Sequence, residues 1–180
     1  MINKEKETQI IYFPGYGSDS SSDTCKKIND EFGHTMCIKY DNVDPVKAEE
    51  QIIEQMNNII SKYHDPFIVG SSLGGYWANY AACKYKLPVV LINPSLKPRK
   101  TLGKYGVDEK FLKKYKKSLD IQISRSVFLG KNDDVVDPSI ADKTFKNNSK
   151  IIWLNEGHRL NDFSPVIVEL KYQLNNIQDF

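Results

Sequence analysis

The most constraining feature of the sequence lies between residues 66 and 85, where an apolar segment, a glycine-rich turn and a helical segment follow one another. Pro66-Phe67-Ile68-Val69 leads into Gly70-Ser71-Ser72-Leu73-Gly74, and an alanine- and aromatic-rich run follows. Glycines stand two residues before and two residues after Ser72, where a Cβ atom would crowd a sharp turn. The stretch therefore predicts a strand, a tight turn with Ser72 at its tip, and a helix over residues 73–84.

The rest of the chain repeats this alternation of strands and helices. Strands are predicted at residues 9–13, 36–40, 67–69, 88–92, 126–129 and 151–154. The first predicted helix begins at a cap among residues 19–23 and ends at about residue 32. Further helices are predicted from 45 to about 60, from 73 to 84, from 138 to 145 and from 165 onward. Consecutive apolar residues within a strand are typical of a parallel sheet that is covered on both faces. We expect a compact three-layer α/β fold in which helices cover a mostly parallel sheet of about six strands.

Composition limits the classes of protein that the chain can belong to. With 180 residues, one domain spanning residues 1–180 is expected, interrupted by a basic, irregular insertion around residues 95–120 that holds a short helix over 108–116. The net charge of +2 does not favour nucleic acid as a partner. The chain has no run of 18 apolar residues, so no membrane span is expected. The oligomeric state stays open.

The N-terminus and the cysteines indicate the cellular compartment. Residues 1–7 are charged and lack the apolar core of a secretory signal. The three cysteines, Cys25, Cys37 and Cys83, are odd in number and widely spaced. This usage is typical of a reducing environment, and we interpret each cysteine as a small buried apolar residue rather than part of a disulfide. A cytoplasmic location is therefore expected.

Ser72 has a candidate partner among the three histidines. A serine hydroxyl is a weak nucleophile at neutral pH, so it needs a base within hydrogen-bonding distance and an acid that orients the base. His34 and His64 precede Ser72, and we interpret them as a surface residue and a turn residue. His158 lies in the loop after the last predicted strand. Because right-handed crossovers place the carboxyl ends of all strands at one edge, Ser72 and His158 are predicted to meet there.

The acid should follow the penultimate strand, where the chain offers three aspartates. Asp133 stands three residues after the glycine that closes this strand and is our choice for the acid. Asp134 would point the other way in the turn. Asp137, directly before a proline, is better interpreted as the N-cap of the next helix. The sequence thus predicts a catalytic triad of Ser72, Asp133 and His158.

An oxyanion in such a site needs two preorganised N–H donors. One donor is predicted to be the backbone N–H of Leu73, the residue after the serine, at the positive end of a helix. The other is predicted to come from the loop after the first strand. In that loop Tyr16 follows Pro14-Gly15 and is the candidate.

Five segments carry a resemblance to a known family: YFPGYGS at 12–18, GSSLGGY at 70–76, LINPS at 91–95, DDVVD at 133–137 and EGH at 156–158. In this order they resemble the small α/β-hydrolase esterases of the YqiA/YcfP type, the UPF0227 group. The resemblance implies a compact α/β-hydrolase fold with esterase or thioesterase activity, and it supports Ser72, Asp133 and His158 as the triad. Pro14 stands where the family usually has histidine.

We therefore expect a serine hydrolase that cleaves a small-molecule ester or thioester through an acyl-enzyme on Ser72, with no metal or organic cofactor. Two alternatives remain. One is a non-catalytic binding or interaction protein on a hydrolase fold, and the other is an acyl-CoA thioesterase rather than a carboxylesterase. Residues 97–120 carry nine Lys or Arg against three Asp or Glu. We interpret this segment either as a solvated cover or as an electrostatic guide for an anionic substrate.

Overall fold

The computed structural model describes residues 8–63 and 65–177, with only the backbone of residue 177, so the predictions for the N-terminal residues 1–7 and for His64 lie outside the described residues. The strands are β1 (Ile10–Phe13), β2 (Thr35–Cys37), β3 (Phe67–Ser71), β4 (Val89–Ile92), β5 (Arg125–Gly130) and β6 (Lys150–Leu154). They form one sheet in the order β2-β1-β3-β4-β5-β6, and each neighbouring pair is parallel. The expected six-stranded parallel sheet is confirmed.

The helices are α1 (Asp23–Phe32), α2 (Pro45–Ile60), α3 (Leu73–Tyr85), α4 (Pro98–Gly103), α5 (Glu109–Leu112), α6 (Pro138–Phe145) and α7 (Ser164–Ile177). Helix α2 begins as its sequence predicts, because the Asp44 side chain accepts a hydrogen bond from the N–H of Val46 at 3.1 Å and a proline occupies the first turn. Within the described ranges, no helix has the length and apolar content needed to span a bilayer.

Side chains that alternate along the strands divide the core into two layers. Ile11 and Phe13 of β1 pack into a cluster with buried residues of α2, α3 and α6. Ile10 and Tyr12, on the opposite face of the same strand, pack into a second cluster with α1 and α7. The sheet is therefore covered on both faces, as expected for a three-layer α/β fold.

The basic insertion is more regular than its sequence suggests. It contains two short helices, α4 and α5, where only one was predicted, and it packs against α3. The Tyr76 hydroxyl donates to the Lys116 carbonyl at 3.1 Å, and the Asn79 amide donates to the Leu119 carbonyl at 2.7 Å. Helix α4 was missed because its six residues, from Pro98 to Gly103, are too few to show a helical period.

One interpretation of the cysteines is wrong. The structure pairs Cys25, on α1, with Cys37, at the end of β2, as a disulfide. The pair was missed because the contact depends on how α1 packs beside β2, which a spacing of 12 residues does not reveal. Cys83 is a buried free thiol, as predicted, and it accepts a hydrogen bond from the Arg125 guanidinium at 3.6 Å.

Two glycines let the β3–α3 turn pack closely. A Cβ atom on Gly70 would collide with the Gly74 carbonyl group and with the Ala78 side chain. A Cβ atom on Gly74 would collide with the carbonyl oxygens of Phe13 and Pro14 at the end of β1. The first turn of α3 therefore lies directly against the loop after β1, which brings the two loops together at the carboxyl edge of the sheet.

We predict that Gly74→Ala destabilises the protein by about 2 to 3 kcal/mol, because the added methyl group meets fixed backbone atoms rather than movable side chains. Urea unfolding followed by circular dichroism measures the change. Gly103→Ala is the matched control, since its Cβ atom would lie 3.6 Å from Leu112 Cδ1, an ordinary contact. Equal stability of the two variants would contradict this account of the turn.

Candidate active site

Ser72 occupies a strained position at the tip of the turn between β3 and α3. Its backbone angles are φ 52° and ψ −122°, a conformation that non-glycine residues rarely adopt. Hydrogen bonds hold the residue there. Its N–H donates to the Ile92 carbonyl at 3.0 Å, and its own carbonyl accepts from Gly75 at 3.0 Å and from Ser95 at 2.9 Å. The sharp turn predicted around Ser72 is present.

The structure brings Ser72, His158 and Asp133 together at the carboxyl edge of the sheet. Ser72 Oγ lies 3.0 Å from His158 Nε2, and His158 Nδ1 lies 2.8 Å from Asp133 Oδ2. The His158 side chain is 17% exposed and that of Asp133 only 1%. A hydroxyl, an imidazole and a buried carboxylate thus form one continuous chain of hydrogen bonds, with the hydroxyl end facing a cavity.

The two oxygens of the Asp133 carboxylate have separate partners. Oδ1 accepts hydrogen bonds from the N–H groups of Val135 at 2.9 Å and Val136 at 2.8 Å, which leaves Oδ2 for His158. Asp134 is exposed. Asp137 caps α6 as predicted and accepts from Ser139, and these hydrogen bonds from Ser139 lower the pKa of the Asp137 carboxyl.

The loop after β1 lies over Ser72. A Cβ atom built on Gly15 would lie 3.3 Å from Ser72 Cβ, and both Tyr16 and Leu73 line the cavity. Among the described residues, neither the Tyr16 N–H nor the Leu73 N–H donates a backbone hydrogen bond outside the regular elements. The backbone N–H groups of two residues that line the Ser72 cavity are therefore not used in such hydrogen bonds.

Residues of the β2–α2 connection hold this loop in place. The buried Tyr40 hydroxyl donates to the Pro14 carbonyl, and the Asn42 side chain accepts from the Gly17 N–H at 2.9 Å. Burial raises the pKa of Tyr40 well above its ordinary value, so the hydroxyl keeps its proton. Both contacts are made to the backbone of the loop, at the Pro14 carbonyl and at the Gly17 N–H.

Asn93 is a central residue of the site that the sequence interpretation missed. It is 2% exposed and has φ 44°. Its amide nitrogen donates to the carbonyls of Gly157 at 3.1 Å and His158 at 2.9 Å, and its Oδ1 accepts from the Gly130 N–H at 2.7 Å. From the sequence it entered only as part of the segment LINPS at 91–95. Its place in an Asn-Pro pair after β4 was the available signal, since asparagine tolerates positive φ.

A cavity of about 530 Å³ opens beside Ser72. Aromatic rings form one side, where Tyr16 and Tyr105 stack with their centroids 5.6 Å apart. The lining also includes residues at the start of α1 and Tyr12, whose hydroxyl lies 2.7 Å from Ser71 Oγ. Burial raises the pKa of Tyr12, so this hydroxyl is neutral at physiological pH.

The basic insertion contributes no lysine or arginine to this cavity. The residues of the insertion that line this cavity are Thr101, Leu102 and Tyr105. The cations in the lining are Lys27 and Arg159, from other parts of the chain. An electrostatic guide formed by the insertion would therefore act from outside the Ser72 cavity. No group of three or more His, Cys, Asp or Glu side chains suited to a metal ion occurs in the described part of the chain.

Solved structures share this architecture. Est1E from Butyrivibrio proteoclasticus aligns with a TM-score of 0.76 over 98% of this chain and 90% of that chain, at 14% identity. An α/β superfamily hydrolase from Oenococcus oeni aligns with a TM-score of 0.68 at 18% identity, covering 96% and 92% of the two chains. A Pyrococcus furiosus esterase aligns with a TM-score of 0.65 at 14% identity, covering 95% and 80%. The protein has the α/β-hydrolase fold.

Sequence comparison gives the family. The model of the uncharacterised protein family UPF0227 matches residues 9–174, so the chain belongs to this family. A UPF0227 protein of Vibrio parahaemolyticus is 24% identical over 173 residues, which cover 90% of this chain and 97% of the relative. The UPF0227 protein YcfP of Escherichia coli is also 24% identical over 173 residues, covering 90% and 96%. The resemblance inferred from the five sequence segments is thereby confirmed.

Proposed function

We propose that the protein is a serine hydrolase that cleaves carboxylic esters or thioesters through an acyl-enzyme on Ser72. The observation that carries the proposal is the hydrogen-bonded chain from Ser72 Oγ through His158 to the buried Asp133 carboxylate, with distances of 3.0 and 2.8 Å. Such a chain supplies a nucleophile, a base and an orienting acid. One of the fold neighbours is itself named an esterase, which agrees with this class of reaction.

In the proposed reaction, Ser72 Oγ attacks the carbonyl carbon of the substrate while His158 Nε2 accepts the hydroxyl proton. Asp133 holds the Nδ1–H of His158 and stabilises the imidazolium that forms. The carbon–oxygen or carbon–sulfur bond to the leaving group then breaks, and His158 returns the proton to the departing alcohol or thiol. A water molecule, deprotonated by His158, attacks the acyl-enzyme in the same way and releases a carboxylic acid.

The negative charge on the substrate oxygen is proposed to be stabilised by the N–H groups of Tyr16 and Leu73. Both residues line the cavity, and neither N–H donates to another backbone group in the described ranges outside the regular elements. The Leu73 N–H also belongs to the first turn of the 13-residue helix α3, where the helix dipole favours negative charge. Donors that are free and rigidly held can act without reorganising during the reaction.

Labelling with a fluorophosphonate probe tests this proposal against the alternative of a non-catalytic binding protein. We expect one covalent adduct, located on Ser72 by peptide mass spectrometry, because the probe reacts with serines activated by a base. Ser71→Ala is the matched control and should keep the adduct on Ser72, whereas Ser72→Ala should lose it. Absence of an adduct from the folded native protein would favour the binding protein.

We predict that Asn93→Ala lowers kcat for ester hydrolysis about a hundredfold while KM changes little. The substitution leaves the Gly130 N–H and the His158 carbonyl without their partner, so the loops that carry the acid and the base shift relative to Ser72. Steady-state kinetics with a short-chain nitrophenyl ester, at a temperature far below the melting temperature of the variant, measures the effect.

Asn155→Ala is the control for this positioning role, because Asn155 is exposed in the same loop and makes one long hydrogen bond of 3.4 Å to Asn132. It should keep the kcat of the native protein. If Asn93→Ala lowers the melting temperature but leaves kcat intact, Asn93 supports the fold without positioning the site.

A further inference from the structure

A second cavity, of about 580 Å³, lies between the basic insertion and α6 and shares no lining residue with the Ser72 cavity. Helix α4 contributes to both. Thr101 and Leu102 line the Ser72 cavity, whereas Lys100 and Gly103 line the second one. The apolar part of its lining consists of Leu96, Pro98, Leu112, Ile140 and the ring of Tyr115. Its volume falls within the range of about 300 to 1,000 Å³ that is usual for small-molecule sites.

The same cavity is lined by five cationic residues and one acidic residue: Lys97, Arg99, Lys100, Lys116, Lys117 and Glu109. Two of the cations are already paired, Arg99 with Glu109 and Lys116 with Glu49 at 2.8 Å. In the described part of the chain, Lys97, Lys100 and Lys117 have no carboxylate within 4.0 Å. Three exposed lysines that form no ion pair with a described residue within this distance therefore lie beside the apolar part of the lining.

We propose that this cavity binds a medium-chain aliphatic carboxylate, with the hydrocarbon chain against the apolar lining and the carboxylate among Lys97, Lys100 and Lys117. Burial of the chain removes apolar surface from water, and the carboxylate accepts charge-assisted hydrogen bonds from the lysines.

Other small-molecule classes match the cavity less well. A neutral lipid would leave the three lysines without a counter-charge, and a small inorganic anion would leave the apolar lining in contact with water. The ligand therefore combines one anionic group with one alkyl chain. The site goes beyond the proposed hydrolysis, because none of Ser72, Asp133 and His158 lines this cavity.

Isothermal titration calorimetry of the full chain with decanoate tests the ligand class. We expect decanoate to bind one site per chain, and we expect acetate and decan-1-ol each to bind at least about tenfold more weakly, since each lacks one of the two features. Raising the salt concentration should weaken decanoate binding by screening the lysines. No binding of decanoate, or equal binding of decan-1-ol, overturns the proposal.

Variants locate the site. Gly103→Phe should abolish decanoate binding, because a side chain at this position starts 3.6 Å from Leu112 Cδ1 and fills the cavity. The double variant Lys100→Gln/Lys117→Gln should raise the dissociation constant about fivefold to tenfold. Lys113→Gln is the matched control, an exposed lysine of the same segment that does not line the cavity, and it should bind like the native chain.

Tyr105→Ala distinguishes the two cavities, because Tyr105 is exposed and lines only the Ser72 cavity. Unchanged decanoate affinity in this variant supports the second site. Loss of binding in Tyr105→Ala, or unchanged binding in both the Gly103 and the lysine variants, places decanoate elsewhere and overturns the proposal. Melting temperatures of all variants show whether a loss of binding arises from unfolding.

Discussion

Replacement of Ser72 by alanine is expected to lower kcat for a short-chain nitrophenyl ester by roughly 10⁴-fold or more. The variant keeps the oxyanion donors and the His158–Asp133 pair but has no nucleophile, so no acyl-enzyme can form. Its melting temperature should stay close to that of the native protein, since the lost hydroxyl makes one hydrogen bond, to His158 at 3.0 Å.

The measurement requires substrate saturation curves for the native and the Ser72→Ala proteins, purified side by side so that a contaminating esterase shows equally in both. Thioesters and esters of several chain lengths should be compared in the same assay, because the triad itself does not distinguish an ester from a thioester. Turnover by Ser72→Ala within tenfold of the native protein would contradict the mechanism.

The second large effect is expected from Asp133→Asn, which should lower kcat by about 10³-fold to 10⁴-fold. The asparagine can keep its Oδ1 hydrogen bonds from Val135 and Val136, so the turn should persist. Its NH₂ group, however, replaces Oδ2 and donates a hydrogen bond to His158 Nδ1, whereas the aspartate oxygen accepts one from it. The imidazole proton then lies on Nε2, where it prevents the ring from taking the Ser72 proton.

Asp134→Asn serves as the control for this substitution, since it makes the same chemical change one residue away at an exposed position. It should retain native kcat. A large loss of kcat in Asp134→Asn together with a small loss in Asp133→Asn would contradict the proposal that Asp133 is the acid.

The fold was readable from the sequence because its signals are local. Strand β3, the turn at Ser72 and helix α3 lie in one stretch, and six apolar segments between helices specify a parallel sheet. The candidate triad was readable for a related reason. Parallel strands with right-handed crossovers bring all their carboxyl ends to one edge, so residues in the loops after β3, β5 and β6 meet there even though Ser72 and His158 are 86 residues apart.

Features that depend on tertiary contacts could not be predicted from the sequence. Asn93 acts through backbone groups of two other loops, and no pattern in the sequence marks which carbonyl a buried amide will meet. The pairing of Cys25 with Cys37 likewise depends on the packing of α1 beside β2. The second cavity arises where α4, α5 and α6 meet, so the lysines of the insertion suggested a charged surface but gave no sign of an apolar interior.

The walls of the Ser72 cavity and the groups proposed to react are carried by different parts of the chain. Ser72, Asp133 and His158 sit on loops tied to the strands, whereas the walls come largely from the start of α1 and from α4. Insertions, deletions and substitutions in these two wall elements can therefore accumulate without disturbing the hydrogen bonds at the sheet edge. Under the proposed mechanism, homologues that keep the residues equivalent to Ser72, Asp133 and His158 can differ in substrate preference through these walls alone.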